Sequence, residues 1–99
     1  MEKTYPTELE LTYHNLGEVE HYLSIAGFYE LKTEDVLNNF AKYYENENYN
    51  GVIIIPAPST SIYKYSNGKL SLRLIGIKNK EEFDILDDLI TNLINSLHP

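Results

Sequence analysis

Residues 68–78, Gly68-Lys69-Leu70-Ser71-Leu72-Arg73-Leu74-Ile75-Gly76-Ile77-Lys78, decide the fold class. From Lys69 the stretch alternates with period two, the repeat of a strand with one buried face. Leu70, Leu72 and Leu74 point one way, and Ser71, Arg73 and Ile75 point the other. Ser66-Asn67-Gly68 before it carries the Asn-Gly signal of a tight hairpin turn, so Ser61-Ile62-Tyr63-Lys64-Tyr65 reads as the antiparallel partner. After it the period changes. Asn79 with Glu82 three residues on is a capping arrangement. Phe83, Leu86, Leu89, Ile90, Leu93, Ile94 and Leu97 form a wide apolar stripe at helical spacing. A half-apolar strand followed by a half-apolar helix buries both stripes when the helix lies across the sheet.

Working back from the hairpin, Val52-Ile53-Ile54-Ile55 is a β-branched strand stopped by Pro56 and Pro58. Thr33 reads as an N-cap, with Glu34 and Asp35 in a first turn where the helix dipole favours acids. Val36, Leu37, Phe40, Ala41 and Tyr44 follow at helical spacing. Tyr22 to Leu31 is rich in strand formers, with Leu23 and Ile25 on one face and Ser24, Ala26 and Phe28 on the other. A helix over 18–27 competes there, because Val19, Tyr22, Leu23 and Ala26 also sit at helical spacing, and Gly27 counts against it. Glu8 to Tyr13 reads as a short strand or an extended arm.

The expected fold is therefore α+β, an antiparallel sheet with helices on one face, in the order strand, helix, three strands, helix. Residues 1–18 form an N-terminal arm or extra strand, and 19–99 form the domain. The open face is expected to carry Ser24, Ala26, Phe28, Tyr63, Tyr65, Ser71, Arg73 and Ile75, a surface seldom left to water.

Composition narrows the function. The chain has 99 residues, room for one domain with a real core. It has no cysteine, which removes disulfides and thiolate chemistry together. Without staples, a reducing compartment is expected, and the reading is cytoplasmic. No apolar run approaches the ~20 residues of a membrane span, and the N-terminus lacks an apolar signal core. The formal net charge of -7 argues against loose, charge-driven attachment to nucleic acid. It leaves room for a locally neutral binding face. Nine tyrosines with no tryptophan fit either a strand-rich fold or an interface.

Catalytic patterns are not found. His14 and His21 are seven apart, outside metal-ligand spacing, and His98 is remote. Glu81, Glu82, Asp84, Asp87 and Asp88 read as the solvated face of the last helix. Ser59-Thr60-Ser61 has no nucleophile-elbow context, and the glycines are dispersed rather than gathered in a phosphate loop. No enzyme activity, metal or cofactor is expected.

Tyr44-Glu45-Asn46-Glu47-Asn48-Tyr49-Asn50-Gly51-Val52 resembles, without a gap, the Tyr-Asn-Pro-Glu-x-Phe-Pro-Gly-Leu segment of the TATA-binding protein repeat. Ile62-Tyr63-Lys64-Tyr65-Ser66-Asn67-Gly68-Lys69-Leu70 resembles that repeat's Leu-Leu-Ile-Phe-x-Ser-Gly-Lys-Val. The resemblance covers roughly residues 20–97, one repeat of a two-repeat family. It implies a curved half-saddle whose sheet lies in the DNA minor groove, where aromatic wedges bend the duplex. The wedges implied are Tyr49 and Tyr65. The minor-groove contacts implied are Tyr63, Ser71, Arg73, Ser24 and Ala26, and Lys69 lies near the backbone. Ser24 stands where the family has asparagine, and Ile55 where it has a phosphate-binding arginine. Arg73-Leu74-Ile75-Gly76 replaces the Thr-Gly that ends the fourth strand.

One repeat makes half a saddle, so the resemblance implies a homodimer acting on DNA in transcription. The alternative is a protein–protein or inhibitor module using the same face, with a transcription or nucleic-acid-processing protein as partner and no DNA.

Overall fold

A computed structural model of the chain describes residues 1–32, 41–56 and 68–97. The described elements are β1 (Lys3–Glu10), α1 (Tyr13–Ile25), β2 (Tyr29–Glu30), β3 (Ala41–Glu45), β4 (Val52–Pro56), β5 (Lys69–Ile75) and α2 (Lys80–Leu97). The strands form one five-stranded sheet in the order β1-β5-β4-β3-β2, with every neighbouring pair antiparallel. The class is α+β, as the alternation in β5 and the stripe in α2 require.

Both helices cover the same face. Leu70, Leu72 and Leu74 are fully buried in one cluster with Ile53, Ile55 and Tyr44 from the sheet. Leu16, Val19 and Leu23 from α1 and Leu86, Ile90 and Leu93 from α2 complete it. Asn79 caps α2 as its spacing predicts: Asn79 Oδ1 accepts from the Glu82 N–H at 2.8 Å. The Glu82 carboxylate does not close a reciprocal box. It accepts instead from the Asn50 N–H at 2.6 Å, tying the turn after β3 to the start of α2. Gly51 ends that turn in a space where a Cβ would lie 2.5 Å from Ile77 Cδ1 and 2.6 Å from Leu86 Cδ1.

Residues 22–25 are helical, which corrects the strand expected over 22–31. Thr12 caps α1 by accepting from the Asn15 N–H at 3.0 Å. Leu16, Val19 and Leu23 then form the buried stripe. Gly27, which counted against a helix, is what ends this one. It adopts φ 91°, its N–H donates to Ser24 O, and the Phe28 N–H donates to Leu23 O. This is a Schellman stop, in which a left-handed glycine satisfies the last carbonyls. Phe28 then folds back into the core beside Leu23.

The helix expected from Thr33 is corrected at its far end. Ala41 to Glu45 form a strand in register with β4, in which Tyr44 alternates with Tyr43 across the sheet. Residues 33–40 lie outside the described residues, as does the strand expected over Ser61–Tyr65. The strand expected over 8–13 lies earlier, at 3–10, and Tyr13 opens α1 with 78% of its surface exposed.

Gly17 sits in α1 with nothing within 4 Å of the position its Cβ would take. Glycine costs a helix interior about 1 kcal/mol relative to alanine. Gly17→Ala will therefore raise the melting temperature by a few degrees. A fall would mean that something packs on the bare backbone there.

Two polar clasps fasten the helices to the sheet, each built on a Lys-x-Tyr triplet whose lysine and tyrosine face the helices. On β1, Lys3 Nζ and Tyr5 Oη both donate to Asp87 of α2, at 2.9 and 2.5 Å. On β3, Lys42 Nζ donates to Glu20 of α1 at 2.8 Å, and the Tyr44 hydroxyl bonds Glu20 as well. The hydrogen bonds from Tyr5 and then Lys3 hold the Asp87 carboxyl below its ordinary range. Burial first, and the facing carboxylates second, push the Tyr5 and Tyr44 hydroxyls well above theirs.

Both shifts make the stability of the fold depend on pH. A depressed carboxyl stabilises the fold above its unfolded pKa of about 3.9 and loses that contribution as pH falls further. A raised tyrosine stabilises below about pH 10 and loses that contribution as pH rises. Thermal stability should thus fall below about pH 4 and above about pH 10. Asp87→Ala should cost about 1–3 kcal/mol at neutral pH and flatten the acid limb. An acid limb identical to wild type in melts from pH 2 to 6 would show that Asp87 does not carry it.

Candidate functional site

The sheet face opposite the helices is set by register. Leu74 is buried on the helix side and pairs with Ile53, so the next pair, Arg73 and Ile54, faces the other way. Thr4 pairs with Arg73 and Pro6 with Ser71. Tyr43 pairs with Ile54. This face has two halves of different chemistry. On β3 and β4 it is mostly apolar, with Glu45 at the end of β3, and Ile54 there is only 8% exposed although it lies outside the main core cluster. On β1 and β5 it is polar and open. Thr4, Pro6, Lys69 and Arg73 are exposed there, and Ser71 and Ile75 are half-buried.

The structure brings together three of the residues marked from sequence. Lys69, Ser71 and Arg73 stand two residues apart along β5, about 7 Å per step. The others separate. Ser24 lies on α1 and Ala26 is its C-cap, so neither is on the sheet. Phe28 is in the core at 4% exposure. Tyr49 lies in the turn after β3, its ring stacked on Phe28 with centroids 6.5 Å apart and planes 15° apart. Ile55 faces the helices at 1% exposure. Pairing of Ile53 with Leu74 places 53 and 55 inward and 52 and 54 outward, so Ile55 is one residue out of phase with the open face. Tyr63 and Tyr65 lie outside the described residues.

Thr4 and Pro6 join the strip without having been marked. Their even-numbered spacing was visible, but which strand they would flank is a long-range pairing that no local signal carries.

The helix side is rich in carboxylates. The helices carry Glu18 and Glu20 on α1, and Glu81, Glu82, Asp84, Asp87 and Asp88 on α2. Lysines on that side are matched closely: Lys3 to Asp87 at 2.9 Å, Lys42 to Glu20 at 2.8 Å and Lys80 to Asp84 at 3.0 Å. On the strip, Lys69 Nζ donates to the Glu8 carbonyl at 3.3 Å. Arg73 Nη2 is 4.0 Å from Glu2 Oε2.

No family model, curated protein or solved structure matches the chain. The reading of the strip therefore rests on its own chemistry. Its donors are a guanidinium, an ammonium and two hydroxyls, with the Glu2 carboxylate beside the guanidinium and Glu10 in register with Lys69. Among the described residues no three histidine, aspartate or glutamate side chains converge on a metal position. None of the described helices is long and apolar enough to cross a membrane.

Proposed function

We propose that the protein is a non-catalytic DNA-binding module that lays its β1/β5 strip in the minor groove, two copies acting together. A row of donors carries the reading: Lys69, Ser71 and Arg73 stand along one face of β5 with Thr4 beside them, and the acids that share this face, Glu2 and Glu10, come from the edge strand. Minor-groove edges of A·T pairs present only acceptors, and flanking phosphates are anionic, so a row of donors and cations is the complementary surface. The resemblance to one TATA-binding repeat is kept only along 44–52 and 68–70, since its lead-in strand at 22–31 starts in α1 and the far end of its helix is β3. Two cations per copy are few, and a second copy doubles them.

A protein partner on the same strip is the second reading. The stacking of Tyr49 on Phe28 favours it, because a ring held against the core is not free to wedge between bases.

Fluorescence anisotropy with an A·T-rich duplex, at low and moderate salt, separates the two. Binding that weakens steeply with salt supports DNA. No binding at ~50 mM salt, where counterion release helps most, sinks it. Sedimentation of the same samples reports whether two copies assemble.

A further inference from the structure

The strand that completes the strip also brings acids to it. Thr4 pairs with Arg73, and side chains alternate along β1, so Glu2 reaches the same face. Its Oε2 lies 4.0 Å from Arg73 Nη2, with side-chain exposures of 71% and 53%. At the other end of the strip, Glu10 is the register partner of Lys69. Each cation of the strip thus has an acidic neighbour from one edge strand.

This arrangement differs from the helix-side clasps. There, carboxylate and lysine meet within 3.0 Å and a tyrosine hydroxyl braces the carboxylate. The Glu2–Arg73 pair is longer and lies in water, and a pair of that kind contributes little to folding. Its influence falls on what approaches. An anion that takes Arg73 must displace Glu2 or sit beside it, and like charges placed together suppress wrong partners.

We infer that Glu2 is a built-in competitor for Arg73, occupying the guanidinium until a ligand phosphate displaces it. The inference rests on the reading of the strip as a surface for a nucleic-acid backbone. The displacement cost is the same for every polyanion. It lowers every such affinity by the same factor, so a ligand held by charge alone falls below useful binding while one that also engages the Thr4 and Ser71 hydroxyls stays above it. Glu2 thus sets the threshold of affinity that a ligand of the strip must exceed.

The test is a mutant cycle on the full chain, with two probes: heparin as a generic polyanion and an A·T-rich duplex. The variants are Glu2→Gln, Arg73→Ala, the two combined, and Glu81→Gln, which makes the same charge change on α2. Glu2→Gln should raise affinity for both probes about two- to fivefold at low salt, the range of an exposed ion pair. Heparin and the duplex should gain by the same factor. Glu81→Gln should change either by less than about 1.5-fold, since it lies away from the strip. The gain should vanish in the Arg73→Ala background, and the melting temperature of Glu2→Gln should match wild type. A Glu2→Gln gain no larger than that of Glu81→Gln, or one that survives Arg73→Ala, overturns the assignment. If the heparin cycle behaves as expected and no variant binds the duplex, Glu2 keeps its role and the DNA reading falls.

Discussion

The Lys69→Ala, Arg73→Ala double variant will bind an A·T-rich duplex with almost no dependence on salt. Each phosphate neutralised releases condensed counterions, and log K falls with log salt at a slope of about -0.9 per phosphate. Two copies presenting Lys69 and Arg73 engage about four phosphates, a slope near -3.6. Between 50 and 200 mM salt the wild-type protein should then lose about 150-fold in affinity. Removing both cations leaves the hydroxyl and apolar contacts, which release no ions. The two curves should converge at high salt and diverge most at low salt. Both side chains are exposed, so the double variant should keep wild-type stability within about 0.5 kcal/mol. A double variant with the wild-type slope would falsify the placement of the phosphates on β5, whichever way overall affinity moved.

Leu72→Ala should produce the largest loss of stability of the substitutions considered. Leu72 is fully buried and sits at the middle of β5, opposite Tyr5 of β1, on the face that carries both helices. Truncating a buried leucine forfeits its transfer energy and leaves a cavity, together about 2–5 kcal/mol. A domain of this size has about 5–15 kcal/mol in all. The melting temperature should fall by roughly 10–30 °C. In urea the midpoint should drop with an unchanged slope, because the surface exposed on unfolding stays the same. Ser71→Ala, one residue away on the other face, is the internal comparison and should cost under about 0.5 kcal/mol. Similar losses at both positions would mean that the two faces of β5 are not as different as their burial says.

What was legible in the sequence was local and periodic. The leucines of β5 and the stripe of α2 repeat often enough to fix phase, and Asn79 marks the helix start through one short-range hydrogen bond. The α1 region was ambiguous because Tyr22 to Leu31 satisfies two periods at once. Gly27 resolves it only when its left-handed backbone is known, since the same residue weakens a helix from within and ends one from just outside. β3 was misread because Ala41 and Tyr44 fit a helix, whereas pairing with Ile53 to Pro56 makes the segment a strand. That pairing is tertiary and overrides propensity. The site was legible along β5 and not across it. Lys69, Ser71 and Arg73 share a face by parity alone, but Thr4 and Glu2 come beside them only when β1 adds at the far end of the chain. Ile55 shows how small the margin is, since a phase error of one residue moves a core side chain to the opposite surface.

The two Lys-x-Tyr clasps bear on how a ligand is received. Dispersion forces in the core have no preferred direction, so packed leucines alone would let a helix slide or roll on the sheet. Directional bonds from Lys3 and Tyr5 of the edge strand β1 to Asp87, and from Lys42 of β3 near the opposite edge to Glu20, stop that motion at both margins. A sheet pinned at its margins keeps its shape on the reverse side, where the strip lies. Its partner meets a surface already in the bound form, so little ordering entropy is lost on contact. Association should then be a single step whose rate rises linearly with ligand concentration, with no slower rearrangement behind it.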